Sequence, residues 1–181
     1  MRSMNKLAPL TALAAIALVA SPSYAALKEG AKAPEIVAKG AMAGKPITFD
    51  LNKELKKGPV VLYFFPAAFT PGCNIEAAAF AEAIPDFEKA GATVVGMTAG
   101  NTDQLADFSG KHCAGKFPVA ATTPAMVKAY DVALPNNANG WTNRTTFVIA
   151  QDGKIVLSYS DLKPNDHITE SLAAVRALKK G

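Results

Sequence analysis

The chain has 181 residues, half of them apolar, with 19 basic and 15 acidic side chains, two cysteines and two histidines. That is long enough for one domain with a full core and too short for two ordinary ones. The formal net charge is +4, but nothing basic is clustered enough to hold nucleic acid, and the two histidines have no close Cys/His spacing that would suggest a metal site.

The first element is not part of the fold. Arg2 and Lys6 precede an apolar, Ala/Leu-rich run from Leu7 to Ala20, and Ser23-Tyr24-Ala25 ends in small residues where a signal peptidase would cut. Residues 1–25 read as a secretory signal, which places residues 26–181 as the mature domain in an exported compartment, a bacterial periplasm by the Ala-rich style of the signal. A permanent membrane anchor would need about 20 apolar residues, more than this run supplies. After cleavage 17 basic and 15 acidic residues remain, and no membrane insertion is expected. In an oxidising compartment two cysteines would ordinarily form a structural bridge. A mature chain of this length, however, buries a full core without one.

Within the mature chain, Ile47 to Leu51 reads as a strand of an N-terminal hairpin. Val60 to Phe65 is a continuous β-branched and aromatic run stopped by Pro66, the signature of a central strand buried on both faces. Cys73 to Lys89 is helical in spacing, with a break expected at Pro85 and a stop at Gly91. Ala92 to Met97 is a strand; Thr102 to His112 is a helix with Asn101, Thr102 and Asp103 available as caps; Pro124 to Tyr130 is a shorter helix starting at a proline. Thr145 to Ala150 and Lys154 to Ser160, joined through Asp152-Gly153, form an antiparallel hairpin, and Asp166 caps a closing helix to Lys179. A parallel β-α-β unit followed by a hairpin and a terminal helix is the order of a thioredoxin-like α/β three-layer sandwich, with a mixed central sheet and here an N-terminal β-hairpin extension.

The chemistry concentrates in Pro66-Ala67-Ala68-Phe69-Thr70-Pro71-Gly72-Cys73, between the buried strand and the helix it feeds. Cys73 stands at the helix start, where unpaired backbone N–H groups and the positive end of the dipole favour a thiolate over a thiol. Ionising the sulfur is not sufficient, because enzymic acceleration asks for at least ~8 kcal/mol and charge must also be stabilised as a bond breaks. Thr70 can aim its hydroxyl into the same loop, and Pro66 and Pro71 stiffen it. Arg144 opens the strand Thr145–Ile149, which can bring a permanently charged fork of donors beside the end of the central strand.

Pro66-x-x-x-Thr70-x-x-Cys73 resembles the peroxiredoxin active-site motif. Phe64-Phe65-Pro66, Phe69-Thr70-Pro71-Gly72-Cys73 and Glu76 look like the Q-type, or bacterioferritin-comigratory-protein, class, and Asn143-Arg144-Thr145-Thr146-Phe147 matches the segment that carries the family's arginine. The resemblance runs from about Leu27 to the C-terminus. It implies a thioredoxin-like fold, no cofactor, and a thiol-dependent peroxidase acting on hydrogen peroxide and organic hydroperoxides, with Cys73 as the peroxidatic residue and Thr70, Pro66 and Arg144 as its partners. It further implies recycling by a thiol reductant such as a thioredoxin-like protein or glutathione; a monomer is the favoured state. Two positions depart from the class: Ala78 stands where many members carry a second cysteine, and Ala150 where an acidic residue is common. Cys113 is then the one internal candidate to attack a sulfenic acid on Cys73, through local unfolding; the alternative is a one-cysteine mechanism with Cys113 as a bystander.

Other residues carry blander readings. His112 is a dipole partner at a helix end and His167 a first-turn surface residue. Glu76 serves either the helix start or the active-site groups. Trp141 either walls the pocket or packs in its loop. Two other functions share this fold: an exported thiol-disulfide oxidoreductase, which normally needs a Cys-x-x-Cys pair where this chain has Glu76, and a non-catalytic binding protein, which has no use for Thr70, Pro66 and Arg144 around a thiolate.

Overall fold

The computed structural model describes residues 26–179; the signal segment read at residues 1–25 lies outside them. A seven-stranded mixed sheet runs in the order β2-β1-β5-β4-β3-β6-β7. Its strands are β1 (Val37–Met42), β2 (Lys45–Asp50), β3 (Val60–Phe64), β4 (Thr93–Thr98), β5 (Val119–Ala121), β6 (Thr145–Ile149) and β7 (Ile155–Ser160). The helices are α1 (Leu51–Leu55), α2 (Pro71–Lys89), α3 (Leu105–Lys111), α4 (Pro124–Tyr130) and α5 (Asn165–Leu178). β3 pairs in parallel with β4 and antiparallel with β6, so the buried apolar run becomes an interior strand.

Side chains of a strand alternate between faces, and β3 feeds two cores accordingly. Val61, Tyr63 and Phe65 enter a cluster with α2, α3 and α5 residues such as Phe80, Phe87, Phe108 and Val175. Val60, Leu62 and Phe64 enter the opposite cluster with Leu51, Leu55, Val127 and Tyr130 from α1 and α4. The thioredoxin-like sandwich expected from the element order is the observed architecture, and its N-terminal hairpin is β1–β2, turned by Ala43 and Gly44 at positive φ.

Several local expectations change. β1 and β5 carry weak signals because one contains Gly40 and the other has three residues; Gly40 is required there, since a Cβ would lie 2.1 Å from the Val119 carbonyl oxygen of the neighbouring strand. α2 does not break at Pro85. A proline leaves the carbonyl four residues earlier without its helical partner, and Lys116 Nζ donates to that Ala81 oxygen at 2.9 Å, so the helix continues. The segment after β4 starts as a 3-10 turn, Thr102–Gln104, before α3. Asn101 occupies the cap position, but its side chain makes no capping bond there and is used elsewhere. Pro164, not Asp166, occupies the cap position of α5.

Candidate active site

The loop leaving β3 is held by side-chain donors on four successive carbonyls. Thr142 Oγ1 donates to Phe65 O at 2.6 Å, Thr98 Oγ1 to Pro66 O at 3.0 Å, Thr70 Oγ1 to Ala67 O at 3.0 Å, and Asn101 Nδ2 to Ala68 O at 2.8 Å. Such bonds convert a Pro/Gly-rich loop, otherwise costly to order, into a fixed platform. The backbone turns through a left-handed Phe69 (φ 61°). Thr70 then stands at the N-cap of α2 in extended geometry, and Pro71 enters the first turn, where its missing N–H costs nothing.

Cys73 lies in that first turn and is 1% exposed. Arg144, immediately before β6, is carried to it because β6 runs antiparallel beside β3 with Thr145 opposite Phe64. Its guanidinium makes three contacts: Nε donates to Leu162 O at 2.9 Å, Nη1 to Glu76 Oε2, and Nη2 to Cys73 Sγ at 3.5 Å. Gly72 leaves room for this fork, since a Cβ there would sit 3.1 Å from Nη2. Burial works against the Arg144 charge, but Glu76 and Cys73 more than offset it and hold its pKa above the ordinary value. Glu76, three residues after Cys73, is fully buried; burial pushes its carboxyl up to about 8 against the opposing pull of Arg144. Its Oε1 has no hydrogen-bond partner among the described residues and faces His167 Nδ1 at 3.9 Å.

The structure thus places Pro66, Thr70 and Cys73 along one loop and helix start, brings Arg144 against Cys73, and pairs Glu76 with the same guanidinium. Thr70 gives its proton to Ala67, leaving its oxygen able to accept. Cys113 stands apart: it follows α3, is buried in the same apolar cluster as Cys73, and burial pushes its thiol well above the ordinary range. Both cysteines are free. His112 ends α3, its ring against Phe69 and Phe108 at 5.3 Å, and Trp141 is half-buried in its loop.

His167 corrects the sequence reading. It is wholly buried, bonded to Thr146 and to the Asp161 carbonyl. The available signal was the helical spacing of His167, Ser171 and Val175, which form the buried face of α5. Among the described residues no group of three His, Cys, Asp or Glu is placed to hold a metal ion, and no helix is long and apolar enough to cross a membrane.

A buried cysteine, a guanidinium and a carboxyl thus stand together at the head of a helix. Residues 30–158 match the AhpC/TSA family model. The chain belongs to the AhpC/TSA family of peroxiredoxins. This peroxiredoxin is 31% identical over 159 residues to chloroplastic peroxiredoxin Q of Sedum lineare, covering 86% of the present chain and 82% of that protein. Its fold matches the crystal structure of peroxidoxin BcpB from Mycobacterium tuberculosis with a TM-score of 0.73 at 28% identity, over 84% and 98% of the two chains. It also matches the Xanthomonas campestris bacterioferritin comigratory protein, studied for alkyl peroxide reduction, with a TM-score of 0.66 at 28% identity over 77% and 90%. The protein is therefore a thiol-dependent peroxidase, using a peroxide substrate and a thiol reductant.

Proposed function

We propose that Cys73 is the peroxidatic residue of this peroxiredoxin. The observation that carries the assignment is the buried Arg144 fork, which reaches Cys73 Sγ and Glu76 at once. The Cys73 thiolate attacks the terminal oxygen of a hydroperoxide. The S–O bond forms as the O–O bond breaks, giving a sulfenic acid and an alkoxide or hydroxide that takes up a proton and leaves as alcohol or water. Arg144 and the first-turn N–H groups of α2 stabilise the negative charge as it passes from sulfur to the leaving oxygen. Thr70 Oγ1 accepts from the peroxide hydroxyl, and Pro66 fixes the loop that presents it.

Exposed Ile75 and Leu162, on the two segments flanking the guanidinium, offer apolar contact that favours organic hydroperoxides beside hydrogen peroxide. The sulfenic acid is resolved by the Cys113 thiol, forming a disulfide and releasing water, or by an outside thiol. Because Cys113 is buried, the first route requires the end of α3 to open. The regenerating thiol is a thioredoxin-like protein or glutathione, and the working unit a monomer. Export to the periplasm rests on residues 1–25, and a mature chain beginning at Ala26 would support it by mass.

The test is stopped-flow oxidation of the reduced protein by hydrogen peroxide, with mass spectrometry of the product. Cys73→Ser should abolish the reaction. Cys113→Ser should leave the first oxidation intact, stop at the sulfenic acid and lose turnover with a disulfide reductant. Full turnover of that variant would remove Cys113 from the mechanism, and a wild-type rate no faster than a free thiol would remove Cys73.

A further inference from the structure

We propose that His167 is a positioning residue for Arg144, acting through the Asp161–Leu162 segment that both side chains hold. The inference rests on the reading of Cys73 and Arg144 given above and deepens it. His167 Nε2 lies 2.8 Å from Asp161 O. A carbonyl only accepts, so Nε2 carries a hydrogen; with the ring kept neutral by burial, Nδ1 accepts from Thr146 Oγ1 at 2.8 Å. The imidazole therefore bolts β6 to the turn that follows β7.

The very next carbonyl, Leu162 O, receives Arg144 Nε at 2.9 Å. Two adjacent peptide oxygens are gripped by two buried side chains, one from α5 and one from the head of β6. The Leu162 side chain is 60% exposed, so apolar packing does not fix this segment; hydrogen bonds do, including the turn bond from Lys163 N to Asp161 Oδ1 at 2.8 Å. A guanidinium is planar and rigid, so fixing Nε fixes the direction in which Nη2 points at Cys73 Sγ. A displacement of about 1 Å in such a group is enough to cost about 100-fold in rate.

A buried, fully bonded histidine can also serve stability alone. Two features separate the cases here: the bond goes to the carbonyl beside the one that Arg144 uses, and the ring edge faces Glu76 Oε1 at 3.9 Å, on the other partner of the same guanidinium.

The two ring nitrogens can be replaced separately. In His167→Gln the amide nitrogen falls near the Nε2 position and can still donate to Asp161 O; in His167→Asn it falls near Nδ1, keeping Thr146 and losing Asp161. The rate constant for oxidation of reduced protein by hydrogen peroxide is measured for each, beside the thermal midpoint. His167→Asn should be slowed about tenfold or more and His167→Gln by no more than about threefold, at similar midpoints. Asp161→Ala, an exposed change that loosens the same turn without touching the core, should slow oxidation at an unchanged midpoint. Equal rates in the Gln and Asn variants, rates that merely follow the midpoint, or a wild-type rate in Asp161→Ala would overturn the role of His167 while a fast wild type left the Cys73 reading standing. A slow wild type would overturn both.

Discussion

Arg144→Lys is the substitution that most directly tests the active-site geometry. The arginine spans three acceptors, Leu162 O, Glu76 Oε2 and Cys73 Sγ, from three different nitrogens of one plane. A lysine ammonium is a single centre; it can stay with Glu76 Oε2, but it cannot also present a second donor to sulfur and peroxide oxygen. Losing one charge-assisted hydrogen bond costs about 1.5–3 kcal/mol. At about 1.4 kcal/mol per factor of ten, the rate constant for peroxide reduction should fall roughly 10- to 150-fold. Stopped-flow kinetics of the reduced variant, followed by Trp141 fluorescence at several peroxide concentrations, measures it, with the urea midpoint as the control for folding. A rate within about threefold of wild type would show that charge alone suffices and would refute the argument from the fork.

Glu76 and Tyr63 give two further expectations. Burial raises the Glu76 carboxyl from 4.5 to about 8, so the folded state binds a proton that the unfolded state has released within that window. Stability must therefore fall as pH rises through it. His167, lowered by burial, acts in the opposite sense only below 6.5; between pH 7 and 8 the urea midpoint of wild type should decline while that of Glu76→Gln declines less, and parallel curves would contradict the buried carboxyl. Tyr63 is wholly buried against Phe80, with ring centroids 4.4 Å apart, yet its hydroxyl has no hydrogen-bond partner among the described residues. Since an unsatisfied buried hydroxyl costs about 1–3 kcal/mol, Tyr63→Phe should leave the unfolding free energy unchanged or raise it by up to that amount. A loss of more than about 1 kcal/mol in urea titration would mean the hydroxyl contributes a bond.

Features with local causes are legible in the chain order alone. The continuous β-branched and aromatic run from Val60 to Phe65 specifies an interior strand, Asp152-Gly153 specifies the β6–β7 turn, and Pro66-x-x-x-Thr70-x-x-Cys73 specifies a stiff loop that delivers a cysteine to a helix start. Each depends on neighbours within a few positions, so the chain order is enough. Features that depend on partners distant in sequence arise only in the assembled fold. α2 runs through Pro85 because Lys116, 35 positions beyond Ala81, satisfies the freed carbonyl. Glu76 meets Arg144 because β6 carries the guanidinium to it across 68 positions. The helical spacing of His167 with Ser171 and Val175 marks the buried face of α5, but the partners of its two ring nitrogens, Thr146 of β6 and the Asp161 carbonyl beyond β7, are set only by the assembled fold. Hydrogen bonds in a low-dielectric interior are worth most where water is excluded, and which groups share that interior is fixed only when the sheet has assembled.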